Sequence, residues 1–288
     1  MDSSPFVILG GEILRREDAL LPLEERSTLF AESIYEVVRF YRGRPFRMED
    51  HLARMRHSLQ GIGLELNPVD LEIATLSQKL VERSGFSDAT VYWQLGRSAA
   101  PRDFLRPLES ASTVFALCYS APPLGNEPIP RWKAITTGDL RWHRCDLKTT
   151  MLLPNVVARN AASAAGCDAA ILCRGEWVTE ANTANCFALY DGVLRTHPAN
   201  RWILDGVTRR ALVACIRAEG IPFEERALLR RELFLADEVF LCGTLTQLAA
   251  VTEIDGRPVG DGRPGELSAH LLESLRRCIA RECGLDRR

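Results

Sequence analysis

Lys148 closes a charged run, Arg141-Trp-His-Arg-Cys-Asp-Leu-Lys148, just ahead of an apolar stretch containing Leu152, Leu153, Val156 and Val157. A lysine drawn into the low dielectric of such a stretch loses hydration, and its amine is freed to form a Schiff base with a carbonyl carbon. The same spacing also suits a solvated lysine near a helix start, because lysines are mostly exposed. A second polar run, Val178-Thr-Glu180-Ala-Asn182-Thr183-Ala-Asn185, lies between Trp177 and the apolar Cys186-Phe-Ala-Leu. A carboxylate at a strand entrance can hold a proton on a heterocyclic nitrogen, although these residues also make an ordinary Asn/Thr turn. A third place, Ile203-Leu-Asp-Gly206-Val207-Thr208-Arg209, opens a helical pattern, and a similar donor set, Cys242-Gly243-Thr244-Leu-Thr246, follows an apolar strand. Glycine, free backbone amides and a hydroxyl at a helix N-terminus favour an anion. Each alone also reads as a helix cap by Asp205 or Thr208. Together they suggest a phosphate cup built from two loops.

These runs need a scaffold, and the rest of the sequence supplies one. The 288 residues are 46% hydrophobic and 26% charged, which excludes collagen, coiled coil and wholesale disorder and suits one large or two modest domains. Net charge is -2, so no global field favours nucleic acid or an anionic membrane, and small-molecule substrates are the expected partners. No apolar run approaches the roughly 18 residues of a membrane span, and Met1-Asp-Ser-Ser-Pro has no basic region followed by an apolar one. The nine cysteines are scattered and mostly set in apolar runs, which reads as reduced thiols in a cytoplasmic protein. No spacing suits a metal site. Gly10-Gly11 marks a hairpin, residues 34–41 a strand, 48–62 a helix with Leu52, Met55, Leu59 and Ile62 on one face, and 68–83 a second helix. Two further strands near 89–95 and 112–119 complete a small α+β domain over 1–121. Four prolines in residues 120–130 mark a linker, placed at 122–130, ahead of a large domain over 131–288. That domain is expected to hold a strand at 132–137, a helix from Pro154 to Gly166, a strand at 169–173, a hairpin at Asp191-Gly192, helices at 207–219, 229–235 and 265–282, and a strand at 238–242.

A phosphate cup, a candidate Schiff-base lysine and a carboxylate are the three things a protein must supply to pyridoxal phosphate. The order of the motifs resembles the fold-type IV pyridoxal-phosphate enzymes, the class IV aminotransferases, and among them the bacterial D-amino-acid transaminases. In the small domain the resemblance rests on Ile34-Tyr35-Glu36-Val-Val and on Pro45-Phe46-Arg47-Met48-Glu49-Asp50-His51-Leu52-Ala53-Arg54. In the large domain it rests on residues 141–148 and 165–172, on Val178-Thr-Glu180, and on residues 196–200, 204–209 and 253–256. It covers nearly the whole chain. The resemblance implies a two-domain α/β (α+β) fold with pyridoxal 5'-phosphate in the interdomain cleft, and transamination between an amino acid, D-amino acids favoured, and a 2-oxo acid. It also implies a homodimer. Carried over residue by residue, Lys148 holds the cofactor as a Schiff base and shuttles the substrate proton, and Glu180 pairs with the pyridinium nitrogen. Arg54, Val207, Thr208 and Thr244 bind the phosphate, and Tyr35 projects toward cofactor and substrate.

Departures from the resembled pattern concern the substrate. Where those transaminases carry an Arg-x-His pair that holds the substrate carboxylate, this chain reads Arg102-Asp103-Phe104. Either Arg102 still binds a carboxylate, or it pairs with Asp103 and leaves that task to Arg39 or Arg97. Phe30-Ala31-Glu32-Ser33 replaces Phe-Gly-Asp-Gly, Gly243 stands for a serine, and Asn182-Thr183 for two serines. Rival activities on the same fold are branched-chain L-amino-acid transaminase, aminodeoxychorismate lyase and R-selective amine transaminase. A non-catalytic binding protein is disfavoured, because a binder has no need of the lysine.

Overall fold

Alternating strand sequences in the first 120 residues pair into one antiparallel sheet. In the computed structural model, which describes residues 2–105 and 111–285, they form β1 (Ser3–Leu9), β2 (Glu12–Arg15), β3 (Ser33–Tyr41), β4 (Arg44–Pro45), β5 (Ala89–Arg97) and β6 (Ser112–Ser120). Their order is β2-β1-β6-β5-β3-β4. Period-two alternation sends Ile34, Val38 and Phe40 of β3 to the face covered by α2 (Met48–Gly61) and α3 (Ile73–Ser84). There they meet Leu52, Met55, Leu59 and Leu80 in a closed core with Val91 and Trp93. A short helix, α1 (Arg26–Leu29), precedes β3. The second helix starts five residues later than the sequence pattern suggests. Glu72 takes a left-handed φ of 51°, and residues 68–72 form a separate turn ahead of it.

The chain divides into two compact units. This sheet and its helices belong to Met1–Gly125, which Leu147–Met151 and Ala280–Arg288 complete. The other unit, Asn126–Asp146 with Leu152–Ile279, holds β7 (Arg131–Gly138), α4 (Leu153–Ala164), β8 (Ala169–Arg174), β9 (Trp177–Ala181), β10 (Asn185–Tyr190), β11 (Val193–Thr196), α5 (Val207–Ala218), β12 (Phe223–Glu225), β13 (Leu228–Leu229), β14 (Glu238–Gly243), β15 (Gln247–Ile254), β16 (Arg257–Pro258) and most of α6 (Glu266–Glu282). Its mixed sheet runs β12-β11-β10-β14-β15-β7-β8-β9-β13, with β16 on β15. Strands β7 and β8 are parallel, and Ala158 and Ala162 of α4 pack on Ala170 and Leu172. The residues expected as a helix at 229–235 are instead a 3₁₀ turn over Arg230–Leu235. The polar run expected at 178–185 begins as strand β9, whose Thr179 and Glu180 are buried.

Candidate active site

Lys148 lies on a short extended segment that adds to the edge of β3. Thr149 bridges Ile34, the Tyr35 amide donates to the Lys148 carbonyl at 2.9 Å, and the Thr150 amide donates to the Ser33 carbonyl at 3.1 Å. The Lys148 amide donates to Ser58 Oγ of α2 at 3.0 Å. Behind it Leu147 fills the space beside Gly61, where a Cβ would strike its side chain. The half-buried Lys148 amine stands 4.1 Å from the centroid of the Tyr35 ring, a cation–π distance. Tyr35 stacks on Tyr92 of β5 at 5.6 Å, on the sheet face opposite α2 and α3.

Arg54 lies on the helix-covered face. Its guanidinium grips Glu36 with two bonds, Nε to Oε1 at 2.7 Å and Nη2 to Oε2 at 2.9 Å, and His51 Nδ1 meets Oε2 at 2.7 Å. Glu36 is fully buried. Burial alone would raise its pKa, but the Arg54 and His51 charges and hydrogen bonds outweigh it and hold the carboxyl far below the ordinary glutamate range. Burial pushes His51 below its ordinary value. The resemblance singled out Arg54; that Glu36 and His51 orient it became visible only once the α2–β3 packing was known.

In the other unit Glu180, 4% exposed, faces inward from β9. Its Oε1 accepts from Arg141 Nη1 and from the Leu204 amide at 3.1 Å, and its Oε2 accepts from Asn185 Nδ2 at 2.9 Å. A carboxylate has about four acceptor positions, so one remains on Oε2. Burial raises the Glu180 pKa, and the neighbouring Arg141 guanidinium opposes the rise. Arg141 is in turn fixed by Asp139, whose Oδ1 accepts from its Nε and Oδ2 from its Nη2, both at 2.9 Å. Despite burial, the bonds and charge of Arg141 hold the Asp139 carboxyl below its ordinary value. The sequence signal for this pair was weak: Arg141 merely opens the charged run, and Asp139 follows Gly138.

Val207 and Thr208 open α5, both buried, after Gly206 at the helix entry. A Cβ at Gly206 would collide with Asn185 Oδ1, and no side chain caps the helix. Thr244 sits half-buried in the turn joining β14 to β15. Gly243 beside it would bring a Cβ within 3.3 Å of the Thr183 carbonyl. Asn182 serves the sheet: its Oδ1 accepts the Ala170 amide at 3.0 Å.

Three cations were open for a substrate carboxylate. Arg97 donates to Glu32 at 3.0 Å, and Arg39 is buried against the Ala89 and Pro122 carbonyls. Arg102 is exposed and lies over the rings of Phe30 and Phe104, at 5.5 and 5.8 Å. The Asp103 carboxylate accepts the Leu105 amide, and its carbonyl accepts Arg26 Nη1 of α1.

Residues 33–254 match the family model described as amino-transferase class IV. The chain belongs to that family. D-alanine aminotransferase of Staphylococcus epidermidis is 36% identical over 276 residues, covering 95% of this chain and 97% of that protein. The enzyme of the same name from Listeria monocytogenes is 36% identical over 285 residues, covering 96% and 97%. Among solved structures, the branched-chain amino acid aminotransferase of Escherichia coli superposes with a TM-score of 0.89 at 23% identity, over 96% of this chain and 95% of that one. The branched-chain aminotransferase of Thermoproteus uzoniensis gives 0.87 at 26%, over 99% and 96%. As a class IV aminotransferase the chain is a pyridoxal-phosphate-dependent enzyme that exchanges an amino group between an amino acid and a 2-oxo acid. Its donor set fits that cofactor: a half-buried amine, a buried carboxylate with an acceptor position to spare, and uncapped helix amides beside a glycine. Among the described residues no helix is long and apolar enough to cross a membrane.

Proposed function

We propose that this aminotransferase takes D-amino acids, with D-alanine the leading donor and 2-oxoglutarate a suitable acceptor. The observation that carries this reading is 36% identity, over at least 95% of both chains, to proteins named D-alanine aminotransferase. Lys148 would hold the cofactor on its amine and would move the proton at the substrate Cα. Glu180 holds the proton on the ring nitrogen through its open Oε2, so that the bound cofactor withdraws electrons from Cα. Arg54, aimed by Glu36, holds the phosphate with the Val207 and Thr208 amides and the Thr244 hydroxyl. Tyr35 flanks the amine, and Arg102, exposed over the Phe30 and Phe104 rings, takes the substrate carboxylate. The amino group leaves the donor as its oxo product forms, and then passes to the acceptor.

We further propose a homodimer working in the cytoplasm. Leu153, Val156 and Val157 of α4 are 73%, 50% and 51% exposed, an apolar row suited to a second copy. The nine cysteines are free thiols, as a reducing compartment keeps them. The test of the activity is to supply D-alanine with 2-oxoglutarate and measure pyruvate and glutamate together. Equal amounts of both are expected. Turnover with L-leucine and none with D-alanine would assign the chain to the branched-chain reading instead.

A further inference from the structure

We propose that Ser33 and Thr150 form a hydroxyl clasp that positions Lys148, making both of them positioning residues for the reaction. The inference rests on the reading that Lys148 carries the cofactor. Ser33 Oγ and Thr150 Oγ1 lie 2.7 Å apart, on either side of the bridge that joins the Lys148 segment to β3. The Thr150 hydroxyl points to the Ala31 carbonyl at 3.4 Å, which leaves Ser33 as the donor between the two. Ser33 in turn accepts from Gln94 Nε2 at 3.2 Å, and Gln94 Oε1 accepts from the Tyr92 hydroxyl at 2.8 Å. Burial, with lesser contributions from Tyr35 and Tyr119, raises the Tyr92 pKa, so this hydroxyl stays a donor throughout the working pH range.

The chain of donors runs from Tyr92 to Thr150 without reversal. Its two ends both reach Lys148. Thr150 lies two residues along the backbone, and Tyr92 stacks on Tyr35, whose ring faces the amine at 4.1 Å. One strand pair, β3 with β5, therefore fixes the lysine at its main chain and at its tip. The register permits this because Ser33 lies opposite Gly96. A Cβ on residue 96 would come 2.6 Å from Ser33 Cβ, so the Ser33 side chain is accommodated by a glycine across the ladder.

The hydroxyls are removed one at a time and together, as Thr150→Val, Ser33→Ala and the double variant, with Thr150→Ser as the variant that keeps the hydroxyl. Two properties of the cofactor-loaded protein are read: the rate of cofactor loss, and the pH midpoint at which the cofactor's visible absorbance changes. Each single variant is expected to lose cofactor about threefold to tenfold faster, the double no faster than either single, and Thr150→Ser to behave as wild type. The midpoint is expected to move by about half a pH unit in Thr150→Val and to return in Thr150→Ser. An unmoved midpoint with unchanged loss rate, or two single effects that multiply in the double variant, overturns the clasp. Borohydride reduction followed by peptide mapping separates the two levels. Label on Lys148 with unmoved properties refutes the clasp alone, whereas label on another lysine refutes the clasp together with the reading beneath it.

Discussion

Glu180 shows how a buried carboxylate is kept ready for a partner. Three neutral or cationic donors occupy three of its acceptor positions, and Asp139 prevents the Arg141 guanidinium from turning away. Glu180→Gln removes the charge and is expected to lower kcat on the order of 100-fold, the range seen when one preorganised electrostatic group is lost, with cofactor still bound. Steady-state kinetics beside a cofactor titration separate the two effects. Asp139→Asn leaves Arg141 with Glu180 and without its second anion. The expected cost is about 3 kcal/mol of stability, because a buried pair is broken from one side, and denaturant unfolding reads it.

Element packing sets two further properties. Strand β3 and helix α2 are joined through Glu36, Arg54 and His51, and the Glu36 pKa is lowered in the folded chain. A group with a depressed folded pKa contributes stability that is present above its unfolded value. Here that contribution is complete above about pH 5 and is lost as the pH falls below the ordinary glutamate value of 4.5. Glu36→Gln is expected to destabilise by about 3–5 kcal/mol at pH 7 and to flatten the acid limb of a stability-versus-pH curve. Gly96→Ala brings a methyl against Ser33 and Ser27 Cβ, at 2.6 and 2.9 Å. It should cost about 1–3 kcal/mol, with Ser33→Gly in the same chain recovering part of the loss. Much of this scaffold was legible from local patterning: the Gly10-Gly11 and Asp191-Gly192 hairpins, helix α2 and helix α5 all carry their signals in adjacent residues. Strand β12 and the Lys148 edge segment were not legible, because their pairing partners lie far away in sequence. Lys148, Glu180 and Arg54 were singled out from motif order, while the contacts of Asp139, Ser33 and Thr150 are tertiary and no local spacing records them.

For the whole molecule, the near-zero net charge gives no steering toward anionic substrates, so local cations must hold them. Of Arg39, Arg97 and Arg102, Arg102 is the exposed one, and Phe104 beside it offers a ring face. Arg102→Leu is expected to raise KM for the amino donor about tenfold or more with a smaller change in kcat, the pattern of lost ground-state binding. If the α4 row pairs two copies, Val156→Asp should shift sedimentation from dimer to monomer. The most direct test of the account is stereochemical. The cofactor-loaded enzyme is mixed with D-alanine and, separately, with L-alanine, without any oxo-acid acceptor, and the visible absorbance of the cofactor is followed. The account predicts rapid bleaching with one equivalent of pyruvate from D-alanine and none from the L-enantiomer; bleaching by L-alanine alone would contradict it.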